Sequence, residues 1–116
     1  MEYNVSPDLL NNEYVEIDAL QMQELFEQES TVLIDVRERN EVPVLEENSC
    51  MQIPMSELKL FLETDTLHFE NIILVCQHGI RSKVAAEALQ EKYGSTKKIY
   101  SLKGGIVKSR NHFRIL

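Results

Sequence analysis

Ile72-Ile73-Leu74-Val75-Cys76-Gln77-His78-Gly79-Ile80-Arg81-Ser82 is the stretch that decides the fold. Its first four residues are apolar, three of them β-branched, and read as a strand buried on both faces. The strand ends in a thiol, a short glycine-containing loop follows, and Ser82 stands where a helix can begin. Such a strand–loop–helix unit aims backbone N–H groups, an arginine and a helix N-terminus at one sulfur. Each favours the thiolate, the nucleophilic form, over the thiol. Gly79 allows the tight turn with positive φ that an anion-binding nest of N–H groups requires.

Outward from this unit, strands and helices alternate. Tyr14–Ile17 alternates apolar and polar residues and suits a short strand. Asp18 can cap a helix over 19–28, with Leu20, Leu25 and Phe26 as its apolar surface. Thr31–Val36 is a second buried strand. Residues 37–47 are highly charged, contain Pro43, and read as a turn with at most a short helix. Cys50–Ile53 is a short strand stopped by Pro54. Ser56 can cap a helix to Leu62, with Leu58, Phe61 and Leu62 facing inward. The helix over 82–93 carries an apolar face of Val84, Ala85, Ala88 and Leu89, and Gly94 stops it. Lys98–Leu102 is the last strand, Gly104-Gly105 a turn, and 106–116 a short closing helix.

This order predicts an α/β fold, a parallel sheet of about five strands with helices on both faces. Reactive groups in such sheets collect at the carboxyl ends of the strands. Asp35, Cys76 and Gly104-Gly105 all stand at such ends. Residues 1–13 lack periodicity and read as a tail or linker remnant, leaving 14–116 as the domain. The chain contains no internal repeat or low-complexity segment.

Composition narrows the function. A chain of 116 residues, 43% hydrophobic and 27% charged, fits one soluble globular domain. A formal net charge of −7 argues against nucleic acid and anionic membrane as partners, so anion binding must come from local groups. No apolar run is long enough to span a bilayer, and Met1-Glu2-Tyr3-Asn4 is unlike a signal sequence, so a cytoplasmic address is expected. In that reducing compartment Cys50 and Cys76 are expected to stay unpaired, with Cys50 a small buried hydrophobe. Cys76 and His78 lack the further clustered ligands that a zinc site needs, so no metal is expected. His68 and His112 read as surface residues.

The segment Cys76–Ser82 resembles the C-x-x-G-x-R-S/T active-site loop of single-domain rhodaneses. Leu33-Ile34-Asp35-Val36-Arg37-Glu38 with Glu41 is similar to that family's L-I-D-V-R-E-x-x-E segment. Gln52-Ile53-Pro54 stands at its N-I-P strand end, and Leu102-Lys103-Gly104-Gly105-Ile106 matches its L-x-G-G-I turn. Two features depart from the family. Residues 42–50 lack its G-H-I-P-G-A-type glycines, and Ser109 stands where a tryptophan usually follows the L-x-G-G-I turn.

The resemblance implies a sulfurtransferase in which Cys76 is the nucleophile and carries a sulfane sulfur as a persulfide. The loop residues Gln77, His78, Gly79, Ile80, Arg81 and Ser82 would bind the negative terminal sulfur through their N–H groups. Arg81 would hold the loop or the donor's anionic end, Asp35 and Arg37 would brace the loop, and His78 would face solvent as a specificity residue. The donor would be a small thiosulfate-like anion or a persulfide-donating protein, with no bound cofactor. The pattern also resembles the C-terminal rhodanese segment of adenylyltransferases of the molybdopterin and thiamine pathways, which implies a ubiquitin-like sulfur-carrier protein as acceptor. A free-standing sulfurtransferase is the simpler reading. Two alternatives stand beside it, a noncatalytic rhodanese-like interaction module and a cysteine-dependent phosphatase or arsenate reductase. The last class uses a C-x5-R loop, one residue longer than the interval from Cys76 to Arg81.

Overall fold

A computed structural model describes residues 13–115. The N-terminal tail expected over 1–13 therefore lies, apart from Glu13, outside the described residues. Five strands form one fully parallel sheet: β1 (Val15–Ile17), β2 (Thr31–Asp35), β3 (Met51–Gln52), β4 (Asn71–Val75) and β5 (Lys98–Leu102), in the order β1-β5-β4-β2-β3. β4 and β2 lie at the centre in register, with Asp35 opposite Val75. Every residue of β4 is buried, and after Asn71 it is an uninterrupted apolar run, as a strand between two helical layers requires.

The alternation of side chains along these strands divides the core in two. On one face Val32, Ile34, Ile72, Leu74 and Ile99 meet α2 (Met55–Thr64) and α3 (Arg81–Tyr93), through Leu58, Ala85, Ala86 and Leu89. On the other, Leu33, Ile73, Val75 and Leu102 meet α1 (Ala19–Phe26) and the short α4 (Gly105–Lys108), through Met22 and Ile106. Cys76 belongs to the first face. Among the described residues no helix is long and apolar enough to cross a membrane.

Several local expectations need correction. Asp18 does cap α1, and Gln21 completes a reciprocal capping box. The helix ends at Phe26 rather than Gln28, because the N–H groups of Glu27 and Gln28 turn back onto the carbonyls of Glu24 and Leu25, tightening the last turn. Its buried residue is Met22, while Leu20 and Phe26 are exposed and Leu25 is half-buried. α2 starts at Met55, with Pro54 at the cap position. Ser56 lies inside its first turn, where Glu38 accepts from both its N–H (3.2 Å) and its hydroxyl (2.6 Å). The apolar face of α3 includes Ala86 in place of the exposed Val84. The closing helix is only Gly105–Lys108, followed by a 3-10 turn at Arg110–His112 and an antiparallel bridge from Ile115 to Leu45. Cys50 is half-buried rather than fully enclosed.

Candidate active site

β4 delivers Cys76 to the carboxyl edge of the sheet, where it is 1% exposed. Gly79 turns the chain with φ +89°, and α3 begins two residues later. A Cβ at Gly79 would lie 2.8 Å from the Gly104 nitrogen, so the tight packing as well as the dihedral calls for glycine. The result is a set of donors around one sulfur. The N–H of Gly79 donates to Sγ at 3.1 Å and that of Ser82 at 3.3 Å, and the Ser82 hydroxyl lies 3.5 Å away.

These contacts set the acidity of the thiol. Burial opposes the thiolate, but the hydroxyl and N–H of Ser82 and the N–H groups of Gly79 and His78 outweigh it and lower the pKa. Cys50 makes the contrast within the same chain, since burial pushes its thiol up. Of the two cysteines, Cys76 is the one whose surroundings favour the thiolate.

Ser82 is not the N-cap that its residue type suggested. It is the second residue of α3, fully buried, and Ile80 occupies the cap without a side-chain bond. The Ser82 hydroxyl is instead committed to Cys76 and to Ser101 Oγ at 2.8 Å. Arg81 is engaged by a carboxylate: its two terminal nitrogens donate to the Glu41 carboxylate at 2.6 and 2.8 Å. Those bonds hold the Glu41 carboxyl at a pKa of about 2. Arg81 thus ties the loop to the segment after β2.

Asp35 and Arg37 brace the loop from β2. Arg37, 2% exposed, donates from Nε and Nη2 to the Asp35 carboxylate, from Nη2 to the Pro43 carbonyl (2.7 Å) and from Nη1 to Gln77 Oε1 (3.0 Å). One planar guanidinium joins β2, the 41–45 segment and the cysteine loop. The Gly104-Gly105 turn supports the loop from below. The Ile106 N–H donates to the Cys76 carbonyl (2.9 Å) and the Val107 N–H to the Gln77 carbonyl (3.1 Å). A Cβ on Gly105 would lie 2.5 Å from both of those oxygens.

The structure therefore brings Cys76, Gln77, Gly79, Arg81, Ser82, Asp35 and Arg37 into one hydrogen-bonded assembly. His78 and Ile80 lie in the same loop but face solvent. The binding role of Glu41 and the presence of Ser101 were not anticipated. Glu41 was visible as a member of the L-I-D-V-R-E-x-x-E pattern, and Ser101 as a small polar residue next to Leu102 near the carboxyl end of an inner strand. Among the described residues, no group of three or more His, Cys, Asp or Glu side chains is arranged to hold a metal.

The Rhodanese-like domain family matches residues 18–112. The tRNA uridine(34) hydroxylase of Buchnera aphidicola is 32% identical over 110 residues, which cover 90% of this chain but only 35% of that protein. The thiosulfate sulfurtransferase GlpE of Actinobacillus pleuropneumoniae is 27% identical over 96 residues, 83% of this chain and 86% of that one. Among solved structures, the rhodanese-related protein of Thermoplasma volcanium superimposes with a TM-score of 0.69 at 25% identity, covering 89% of this chain and 98% of its own. With the family's match running from the cap of α1 to the final 3-10 turn, the chain belongs to the rhodanese-like domain family.

Proposed function

We propose that this protein is a sulfurtransferase that carries a sulfane sulfur as a persulfide on Cys76. The observation that carries the reading is the convergence of the Gly79 N–H, the Ser82 N–H and the Ser82 hydroxyl on the sulfur of a buried, acidified cysteine. In the first step the Cys76 thiolate attacks the outer sulfur of a thiosulfate-like donor. A new S–S bond forms, the donor's own S–S bond breaks, and sulfite leaves with the electron pair. The product is a persulfide anion, and no external oxidant is consumed. In the second step a thiophilic acceptor such as cyanide attacks the outer sulfur and restores the thiolate.

The negative charge never leaves the loop during this cycle. Preorganised N–H donors favour that kind of chemistry, because they need not reorient as charge shifts by one S–S bond length, about 2 Å. Backbone donors of Gln77 through Ser82 would hold the terminal sulfur, with Gln77 itself fixed by Arg37. The similarity to GlpE supports thiosulfate as a donor of the right chemical class. A persulfide-bearing protein as donor and a ubiquitin-like carrier as acceptor remain compatible with a loop whose residues His78 and Ile80 face solvent.

Phosphatase chemistry fits less well. It would use the arginine to bind a tetrahedral oxyanion, and both terminal nitrogens of Arg81 are already on Glu41. Steady-state assays separate the readings. The protein should form thiocyanate from thiosulfate and cyanide, Cys76→Ser should not, and neither should hydrolyse p-nitrophenyl phosphate. Phosphate release that depends on Cys76, without thiocyanate formation, would replace this proposal with the phosphatase reading.

A further inference from the structure

Ser101 is a buried polar residue on an inner strand, with no exposed surface. It lies on β5, in register with Leu74 of β4 and Glu16 of β1, and its hydroxyl meets Ser82 Oγ at 2.8 Å beneath Cys76. A valine or alanine would suit such a position in a sheet core without the cost of desolvating a hydroxyl.

We propose that Ser101 is a positioning residue for Cys76: its hydroxyl donates to Ser82 Oγ and so commits the single Ser82 hydroxyl hydrogen to the sulfur once the thiol ionises. The hydrogen count supports this direction. While Cys76 is a thiol, its S–H can donate to Ser82 Oγ at 3.5 Å, and Ser82 can donate onward to Ser101. As a thiolate, Sγ can only accept, so the Ser82 hydrogen turns toward sulfur. Ser82 Oγ then has lone pairs free, and Ser101 is the hydroxyl beside it. A two-link chain in a dry environment polarises along its length, which strengthens the bond to sulfur.

The titratable and charged groups around the loop include Arg81 of α3 with its Glu41 partner and the nearby Glu38, the Asp35–Arg37 pair at the end of β2, Glu16 beside Ser101 on β1, His78 within the loop and Lys108 of α4, which packs over Gly104. All are retained in Ser101→Ala, so comparison with the unaltered protein isolates the hydroxyl. The inference concerns the acidity of Cys76 and holds whichever donor the protein uses.

The test is the pH dependence of iodoacetamide alkylation at Cys76, followed by intact mass. Ser101→Ala should move the alkylation midpoint to higher pH and, at pH values below that midpoint, slow the reaction by about threefold. Ser101→Thr, which keeps the hydroxyl, should return it toward the original. In a Ser82→Ala background the same Ser101→Ala change should have no further effect, because the relay is already cut. A midpoint that stays put or falls in Ser101→Ala would overturn the proposal. An equal shift with and without Ser82 would do so too, since Ser101 would then act through packing alone. Circular dichroism of each variant confirms that the comparison is made on folded protein.

Discussion

Replacing Glu41 by glutamine tests whether the loop is held by an ion pair or merely decorated by one. Glu41 is moved from its ordinary value of 4.5 to about 2, mainly by the side-chain bonds from Arg81. At about 1.4 kcal/mol per tenfold change in acidity, that displacement corresponds to about 3 kcal/mol of folding stability. The Arg81 and Glu41 side chains are 38% and 27% exposed, so water screens part of it, and about 1.5 kcal/mol is the better expectation.

The sign follows from linkage. A carboxyl whose folded pKa is depressed contributes fully above its unfolded value, near 4.5, and loses that contribution as pH falls toward 2. At pH 7, Glu41→Gln should therefore unfold at lower urea than the unaltered protein, with a midpoint in heat about 5–10 °C lower. The gap should narrow steadily between pH 4.5 and 2, as the unaltered protein loses the same interaction by protonation. Urea unfolding followed by circular dichroism at pH 7, 4.5 and 3 would measure it. A gap of the same size at all three values, or none at pH 7, would refute the argument.

Two further substitutions probe the supports of the loop. Gly105→Ala would place a methyl 2.5 Å from the carbonyl oxygens of Cys76 and Gln77 at a residue with φ +66°. Backbone strain and the loss of the two N–H···O bonds from α4 should together cost about 3–4 kcal/mol and slow Cys76 alkylation, measured by urea unfolding and intact mass. A loss below about 1 kcal/mol would mean that α4 does not hold the loop. Asp35→Ala should cost about 3–5 kcal/mol, because it leaves the buried Arg37 guanidinium without its carboxylate. A near-neutral result in the same urea experiment would show that water or Pro43 already satisfies Arg37.

The parts of this protein that could be read from its sequence are those where one residue type admits one role. The apolar run Ile72–Val75 had to be an inner strand, and the alternation around it fixed a parallel sheet with Cys76 at its carboxyl edge. Gly79 and Gly104-Gly105 marked turns at that edge, and the close approach of the two turns is what the structure adds. What escaped was partner choice. Ser82 looked like a helix cap, because a serine before a helix usually is one, but its hydroxyl has a stronger claim from a buried sulfur and from Ser101. Arg81 read as holding the loop or the donor's anionic end, and nothing in local spacing shows that Glu41, forty residues earlier, is the partner through which it ties the loop. Ser56 has the same history, taken up by Glu38 from across the fold. Met22 lost to Leu20 and Phe26 in the reading of α1 because a helix of two turns carries too little periodicity to phase its face.

The central claim is that Cys76 carries sulfur. The most direct measurement is the intact mass of the protein after a brief incubation with thiosulfate, with Cys76→Ser treated in parallel. The account predicts a gain of one sulfur atom on the unaltered protein, removed by cyanide and absent from the variant. An unchanged mass on a protein whose Cys76 still alkylates freely, repeated after exposure to a persulfide-loaded cysteine desulfurase, would contradict it.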